Sequence, residues 1–132
     1  MLYLLDTNIC SYILKRRPVS VKSRFDEVGP EHLGLSTVVL AELYYGATRH
    51  PQGAAIRREI DDFVSRLTLY HWDEIAADHY GAIRTVLEKN GTPIGAMDMM
   101  IAAHARSLDA TLVSNNAKHF RQVPDLQWVD WV

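Results

Sequence analysis

Short apolar runs alternate with helix-length stretches along the whole 132-residue chain. Strands that are separated by helices need right-handed crossover connections, and these favour a mostly parallel sheet covered on both faces. The predicted fold class is therefore α/β. The predicted strands are residues 2–5, 32–35, 67–70 and 110–113, with a last edge strand around Trp128 and Val129.

Local signals set the ends of the predicted helices. Pro18 and Pro93 suit the first turn of a helix, and Ser36 can cap a helix N-terminus. Asp73 and Glu74 suit the opening of a helix, and Gly91 suits a helix stop. The predicted helices are residues 9–15, 19–28, 37–48, 53–66, 73–90 and 93–108.

Length and composition indicate one soluble globular domain, residues 1–132, with 48% hydrophobic and 23% charged residues. The net charge of −2 provides no overall basic field, so any nucleic-acid binding must depend on local clusters or metal ions. The single cysteine, Cys10, cannot form an intramolecular disulfide and favours a cytoplasmic protein. No apolar run is long enough to span a membrane.

Three carboxylates stand alone in apolar surroundings. Asp6 ends the first apolar run, Glu42 is the only charged residue between Ser36 and Thr48, and Asp98 lies within Ile-Gly-Ala-Met-Asp-Met-Met-Ile. Taken singly, each has an ordinary interpretation: Asp6 as a helix cap, Glu42 as a surface residue, and Asp98 as a favourable charge near a helix N-terminus. Together the three isolated carboxylates indicate a functional site.

A cluster of these three acids would be stable only with protons or cations, because like charges in proximity repel. Oxygen-only ligands of this kind suit Mg²⁺ or Mn²⁺. Such a metal can activate water and neutralise the charge that develops on a phosphodiester. The acids therefore point to hydrolysis of a phosphoryl bond.

The sequence resembles the PIN-domain ribonuclease toxins of the VapC family. The resemblance covers nearly the whole chain. It is carried by Leu5-Asp6-Thr7-Asn8-Ile9, Ala41-Glu42-Leu43, Asp98-Met-Met-Ile-Ala-Ala103-His-Ala and Leu112-Val-Ser-Asn-Asn116. It implies a three-layer α/β/α fold and a Mg²⁺- or Mn²⁺-dependent endoribonuclease, with Asp6 and Asp98 as metal ligands and Glu42 completing the cluster.

Asn116 falls where many members of the family carry a fourth aspartate. An amide oxygen can ligate a metal but brings no charge, so the expectation is one tightly held metal and a second recruited only with substrate. An inactive PIN-type RNA-binding or regulatory module is the alternative that this departure leaves open. A receiver domain or a haloacid-dehalogenase phosphatase would need acids at other positions, since the first strand ends in Asp6-Thr7-Asn8 and the second in Ser36.

The resemblance also implies partners. It predicts a homodimer, a VapB-type antitoxin whose C-terminal segment lies in an apolar groove near Ile13 and Leu14, and operator DNA bound only through the antitoxin. The RNA substrate is expected to be structured, with a tRNA anticodon stem-loop as the specific expectation and initiator tRNA as one candidate. The basic groups at residues 15–17 and 118–121 are the predicted contacts to the RNA backbone.

Overall fold

The computed structural model describes all residues 1–132. It contains five strands, β1 (Tyr3–Leu5), β2 (Leu33–Ser36), β3 (Thr68–Tyr70), β4 (Thr111–Val113) and β5 (Gln127–Val129). The strands form one sheet in the order β3-β2-β1-β4-β5, and all four neighbouring pairs are parallel. The predicted parallel sheet with an edge strand at the C-terminus is confirmed.

Seven helices connect and follow the strands. They are α1 (Thr7–Lys15), α2 (Val19–Val28), α3 (Thr37–Thr48), α4 (Gly53–Ser65), α5 (Glu74–Lys89), α6 (Ala96–Ser107) and α7 (Ala117–Phe120), and a single 3-10 turn covers Pro30–His32. Ser36 caps α3 with a side-chain hydrogen bond, as predicted. Asp73 caps α5 in the same way, so this helix starts at Glu74, one residue after its predicted start.

Helices cover both faces of the sheet. Successive residues of a strand point to opposite faces, yet Leu4 and Leu5 of β1 and Leu112 and Val113 of β4 are all fully buried. The buried apolar side chains form a single cluster of 27 residues. The architecture is therefore a three-layer α/β/α sandwich, as predicted. None of the helices is both long and apolar enough to cross a membrane.

Two predicted helix starts are wrong by more than one residue: α1 begins at Thr7 instead of residue 9, and α6 differs more. The helix predicted to start at Pro93 begins at Ala96, because Gly95 is extended, with φ −59° and ψ 149°, and Ile94 packs against the core instead. The later start has a consequence for the site. It places Asp98 in the first turn of α6, where the helix dipole favours a negative charge.

Candidate active site

The topology places a crevice between β1 and β4. From β1 the chain moves outward through β2 and β3, whereas β4 and β5 lie on the other side of β1. Ligands of open α/β sheets bind where the strand order reverses in this way, beyond the carboxyl ends of the strands. Asp6 directly follows β1, and its backbone N–H donates to the carbonyl of Val113, the last residue of β4, at 3.1 Å.

A cleft of about 140 Å³ opens at this point. The structure brings together there all four residues that the sequence singled out, although they come from four separate segments of the chain. The cleft is lined by Asp6, Thr7, Asn8, Glu42, Asp98, Ile101 and Asn116.

Asp6 both caps a helix and faces the cleft. Its Oδ1 accepts a hydrogen bond from the backbone N–H of Ile9 at 2.9 Å, so the helix-cap interpretation also holds. Burial raises the pKa of the Asp6 carboxyl from 3.8 to about 6; hydrogen bonds from Ser114 and Ile9 oppose this shift, and the charges of Asp98 and Glu42 add to it. A buried carboxylate with a raised pKa favours a cation beside it.

Glu42 is oriented by a residue at the start of α1. The hydroxyl of Thr7 donates a hydrogen bond to Glu42 Oε1 at 2.5 Å. Glu42 is half-buried on α3, whose N-terminus is capped by Ser36 at the end of β2. The Thr7 bond therefore fixes a carboxylate from one helix against the first turn of another.

Asp98 is contacted by two side chains from the segment after β4. Its Oδ2 lies 2.8 Å from His119 Nδ1 and 3.4 Å from Asn116 Nδ2. The same His119 nitrogen is 2.9 Å from Asn116 Nδ2. Position 116 thus lies beside the acids, where the resemblance placed it.

Sequence reasoning missed His119. No two histidines of the chain have the spacing of metal ligands on one helix, so the sequence offers no ligand pair that includes His119. One signal was available, because His119 follows Asn116 by three residues at a predicted strand end, which is the spacing of one helical turn. The four-residue helix α7 that supplies this turn was also not predicted, since one turn is too short to show periodicity.

The donor chemistry of the cleft fits a hard divalent cation. No Lys or Arg forms an ion pair with Asp6, Glu42 or Asp98, and the one basic side chain in contact with them is His119, on Asp98. No three of the His, Cys, Asp and Glu side chains lie close enough together to hold an ion between them. Mg²⁺ needs fewer protein ligands than that, since it keeps several waters and is usually held by one or two carboxylates.

Other predicted residues lie elsewhere. His104 is buried outside the cleft with its Nδ1 2.7 Å from Ser36 Oγ, and burial lowers its pKa. The basic residues proposed to contact RNA are exposed and form no ion pairs. They are Lys15, Arg16, Arg17, Lys118 and Arg121.

A groove adjoins the cleft, and a second groove continues from the first. The first, of about 660 Å³, shares Thr7, Asn8 and Glu42 with the cleft and continues between α1, α3 and α4. It meets the second groove, of about 450 Å³, at Leu14 and Glu59. The second groove is lined by four apolar residues, Ile13, Leu14, Phe25 and Phe63, and by six charged ones. A groove near Ile13 and Leu14 is therefore present, but it is less apolar than predicted.

Comparison with known proteins places this geometry in a family. Residues 3–126 match the PIN domain model. Ribonuclease VapC2 of Haemophilus influenzae strain Rd is 43% identical over 130 residues, which is 98% of each chain. The chain belongs to the VapC family of PIN domains. The tRNA(fMet)-specific endonuclease VapC of Shigella flexneri is 40% identical to this VapC-family chain, over 98% of it and 97% of the relative.

Solved structures of VapC-family complexes have the same fold. VapBC2 from Rickettsia felis, bound to a DNA fragment from its promoter, matches all of this VapC-family chain with a TM-score of 0.94 and 36% identity. VapBC-1 from nontypeable Haemophilus influenzae matches 99% of the chain, with a TM-score of 0.89 and 38% identity. The predicted family and fold are both confirmed.

Proposed function

We propose that the chain is the toxin of a type II toxin-antitoxin module and acts as a metal-dependent endoribonuclease. The observation that carries the proposal is the meeting of Asp6, Glu42 and Asp98 in one cleft at the switch point of the sheet, with no Lys or Arg to neutralise them. The names of the VapC relatives as ribonucleases support the activity.

Asp6 and Asp98 are the proposed ligands of Mg²⁺, and Mn²⁺ should also serve. When bound, the metal supplies a lowered pKa for a nucleophilic water and positive charge near the phosphate. The chain's own groups perform the remaining tasks. The hydrogen bond from Thr7 holds the carboxylate of Glu42 in the cleft, where this carboxylate can accept a proton from the attacking water.

The proposed substrate is a structured RNA, and a tRNA anticodon stem-loop is the specific candidate. The cleft of about 140 Å³ is too small to enclose a folded RNA, so the scissile phosphate must enter from a loop that projects into it. The exposed basic residues at positions 15–17 and 118–121 could bind the phosphates on either side. Initiator tRNA is the first RNA to test, because the Shigella relative is named for it.

The proposed protein partner is a VapB-type antitoxin. The groove lined by Ile13, Leu14, Phe25 and Phe63 is large enough for an extended or helical peptide, and its neighbour leads on to Glu42 in the cleft. An antitoxin segment that ordered along this route could place a basic side chain against the acids. The VapBC complexes among the similar structures support such a partner.

Two further properties are proposed from the family. The chain should form a homodimer, and exposed apolar side chains such as Tyr45, Ile75 and Met97 are available for an interface. Operator DNA should bind to the complex through the antitoxin. Sedimentation of the purified toxin, alone and with its antitoxin, tests the dimer directly.

RNA cleavage by the purified protein tests the proposed activity. Wild-type protein and an Asp6→Asn variant are incubated with initiator tRNA in Mg²⁺, with EDTA in parallel reactions. The proposal predicts cleavage by the wild-type protein in Mg²⁺, and no cleavage in EDTA or by the Asp6→Asn variant. Binding of the RNA without cleavage would instead indicate a catalytically inactive RNA-binding or regulatory module.

A further inference from the structure

His119 contacts two residues of the acidic cleft without lining it. Its Nδ1 lies 2.8 Å from Asp98 Oδ2 and 2.9 Å from Asn116 Nδ2. The residue lies on α7, and its side chain is 38% exposed, so it is not a core histidine. The positions of the hydrogen atoms in these contacts indicate what His119 does, and the role inferred from them rests on the proposed metal-dependent function.

The contact with Asp98 decides which nitrogen of His119 carries a proton. An ionised carboxylate only accepts hydrogen bonds, and a neutral imidazole nitrogen either donates or accepts. If Nδ1 had no proton, its lone pair would face a carboxylate oxygen at 2.8 Å, which is repulsive. Nδ1 therefore carries the proton and donates it to Asp98.

The same proton decides the orientation of the Asn116 amide. A protonated Nδ1 cannot accept a hydrogen bond from an Asn116 N–H at 2.9 Å. Turning the amide by 180° exchanges its nitrogen and oxygen with almost no change in shape, and it presents Oδ1 to the imidazole. One N–H of His119 can then be shared between Asp98 Oδ2 and Asn116 Oδ1, and this replaces the longer contact of 3.4 Å from Asn116 Nδ2 to Asp98 Oδ2.

We propose that His119 is a positioning residue for the metal site, whose Nδ1–H holds Asp98 Oδ2 and Asn116 Oδ1 together and leaves Asp98 Oδ1 free to bind the cation. Outer hydrogen bonds of this kind orient a ligand and are worth 10- to 100-fold in metal affinity or activity in general. They also restrict Asp98 to one rotamer before the metal arrives, so less order has to be gained on binding.

The closest isostere of the donating nitrogen is asparagine. The side-chain Nδ2 of an asparagine at position 119 can occupy nearly the same place as imidazole Nδ1, whereas leucine fills similar space without a donor. His119→Asn should therefore retain the contact and His119→Leu should lose it. His71→Leu, at an exposed histidine that is not among the cleft residues, is the matched control.

Mn²⁺ binding to the full chain, measured by titration calorimetry, is the first test. The proposal predicts about tenfold weaker binding for His119→Leu, with His119→Asn and His71→Leu within about threefold of the wild type. Equal affinity in wild type and His119→Leu would overturn it, as would equal losses in the leucine and asparagine variants, or no binding by the wild type. RNA cleavage is assayed separately, so a protein that binds Mn²⁺ but does not cut RNA would count against the proposed function and not against this role.

The tautomer gives a second test that needs neither metal nor RNA. Nitrogen-15 NMR of the histidine rings, in EDTA and above the pH at which exposed imidazoles are charged, distinguishes a proton on Nδ1 from one on Nε2. The signal of the His119 ring is identified by its absence from the spectrum of His119→Asn. It should show the proton on Nδ1. A proton on Nε2 alone would overturn the proposal.

Discussion

Thr7 donates a hydrogen bond from its hydroxyl to Oε1 of Glu42, 35 positions further along the chain. Thr7 is the first residue of α1 and follows Asp6 directly, so the bond links the segment after β1 to the middle of α3. Two of the three carboxylates in the cleft are thereby fixed relative to each other.

Replacing Thr7 tests whether this bond supports activity. Thr7→Val keeps the shape of the side chain but removes the donor, so Glu42 loses its orientation and cleavage of RNA should fall about tenfold or more. Thr7→Ser keeps the hydroxyl and should stay near the wild-type rate. If the valine and serine variants cleave equally well, the bond has no part in the reaction.

Substitution of the proposed metal ligands tests the site itself. Asp6→Asn and Asp98→Asn should each lower cleavage by on the order of 100-fold or more, because a direct ligand should matter more than an outer hydrogen bond. Circular dichroism should show the fold unchanged, and growth arrest on expression should be lost. Retained cleavage in either variant would show that the carboxylate has only a structural role.

The raised pKa of Asp6 predicts how stability depends on pH when no metal is bound. Its pKa is about 6 in the folded chain, against an ordinary value of 3.8. Between these values the folded state holds a proton that the unfolded state has lost, so the Asp6 contribution to the free energy of unfolding decreases as pH rises through this window. Above about pH 6 the Asp6 carboxyl is ionised in both the folded and the unfolded state. The loss of stability from burying its charge, which is a penalty on folding, then no longer changes with pH.

Asp6→Asn removes this penalty and keeps a side chain that can cap α1. Its free energy of unfolding, minus that of the wild type, should be about 2 kcal/mol larger near pH 7.5 than near pH 4.5. Urea unfolding in EDTA at the two pH values measures this. A difference that does not change with pH would mean that the Asp6 carboxyl is well solvated.

Position 116 tests the effect of the missing fourth acid. Asn116→Asp should add negative charge beside Asp98 and tighten Mn²⁺ or Mg²⁺ binding by on the order of 1 kcal/mol at an effective dielectric near 20. Asn116→Ala should lower cleavage less than Asp98→Asn does. Titration of cleavage against Mn²⁺ measures both, and an unchanged metal dependence in Asn116→Asp would exclude position 116 from the site.

The groove at Leu14 should bind the antitoxin. Leu14→Glu replaces an apolar side chain that both grooves share with a charged one and should weaken binding of the antitoxin about tenfold or more, while RNA cleavage by the free toxin is unchanged. Val19→Glu, at a side chain that is 72% exposed and outside both grooves, is the control. Equal copurification of the antitoxin with both variants would place its binding site elsewhere.

Much of the fold followed from the sequence because the apolar runs are short and the helix signals lie next to them. Helix α2 matched its predicted bounds, since Pro18 marks its start. Two features were not accessible in this way. The start of α6 depends on packing of Ile94 against the core, and α7 is a single turn.

The residues of the site also differ in whether the sequence predicts them. Asp6, Glu42 and Asp98 were found because each is an isolated charge in an apolar stretch, and parallel strands bring their carboxyl ends to one edge. His119 was not found, because its partner Asp98 is 21 positions away and on another helix. Contacts of that kind depend on tertiary structure and leave no periodic signal in the sequence.

The chemistry of the cut ends tests the central account most directly. Initiator tRNA is cleaved by the wild-type protein in Mg²⁺, with Asp98→Asn and EDTA reactions as controls, and the products are examined for their terminal groups. Attack by a metal-activated water predicts 5′-phosphate and 3′-hydroxyl ends that form in neither control. A 2′,3′-cyclic phosphate, or cleavage that continues in EDTA, would contradict hydrolysis at this acidic site.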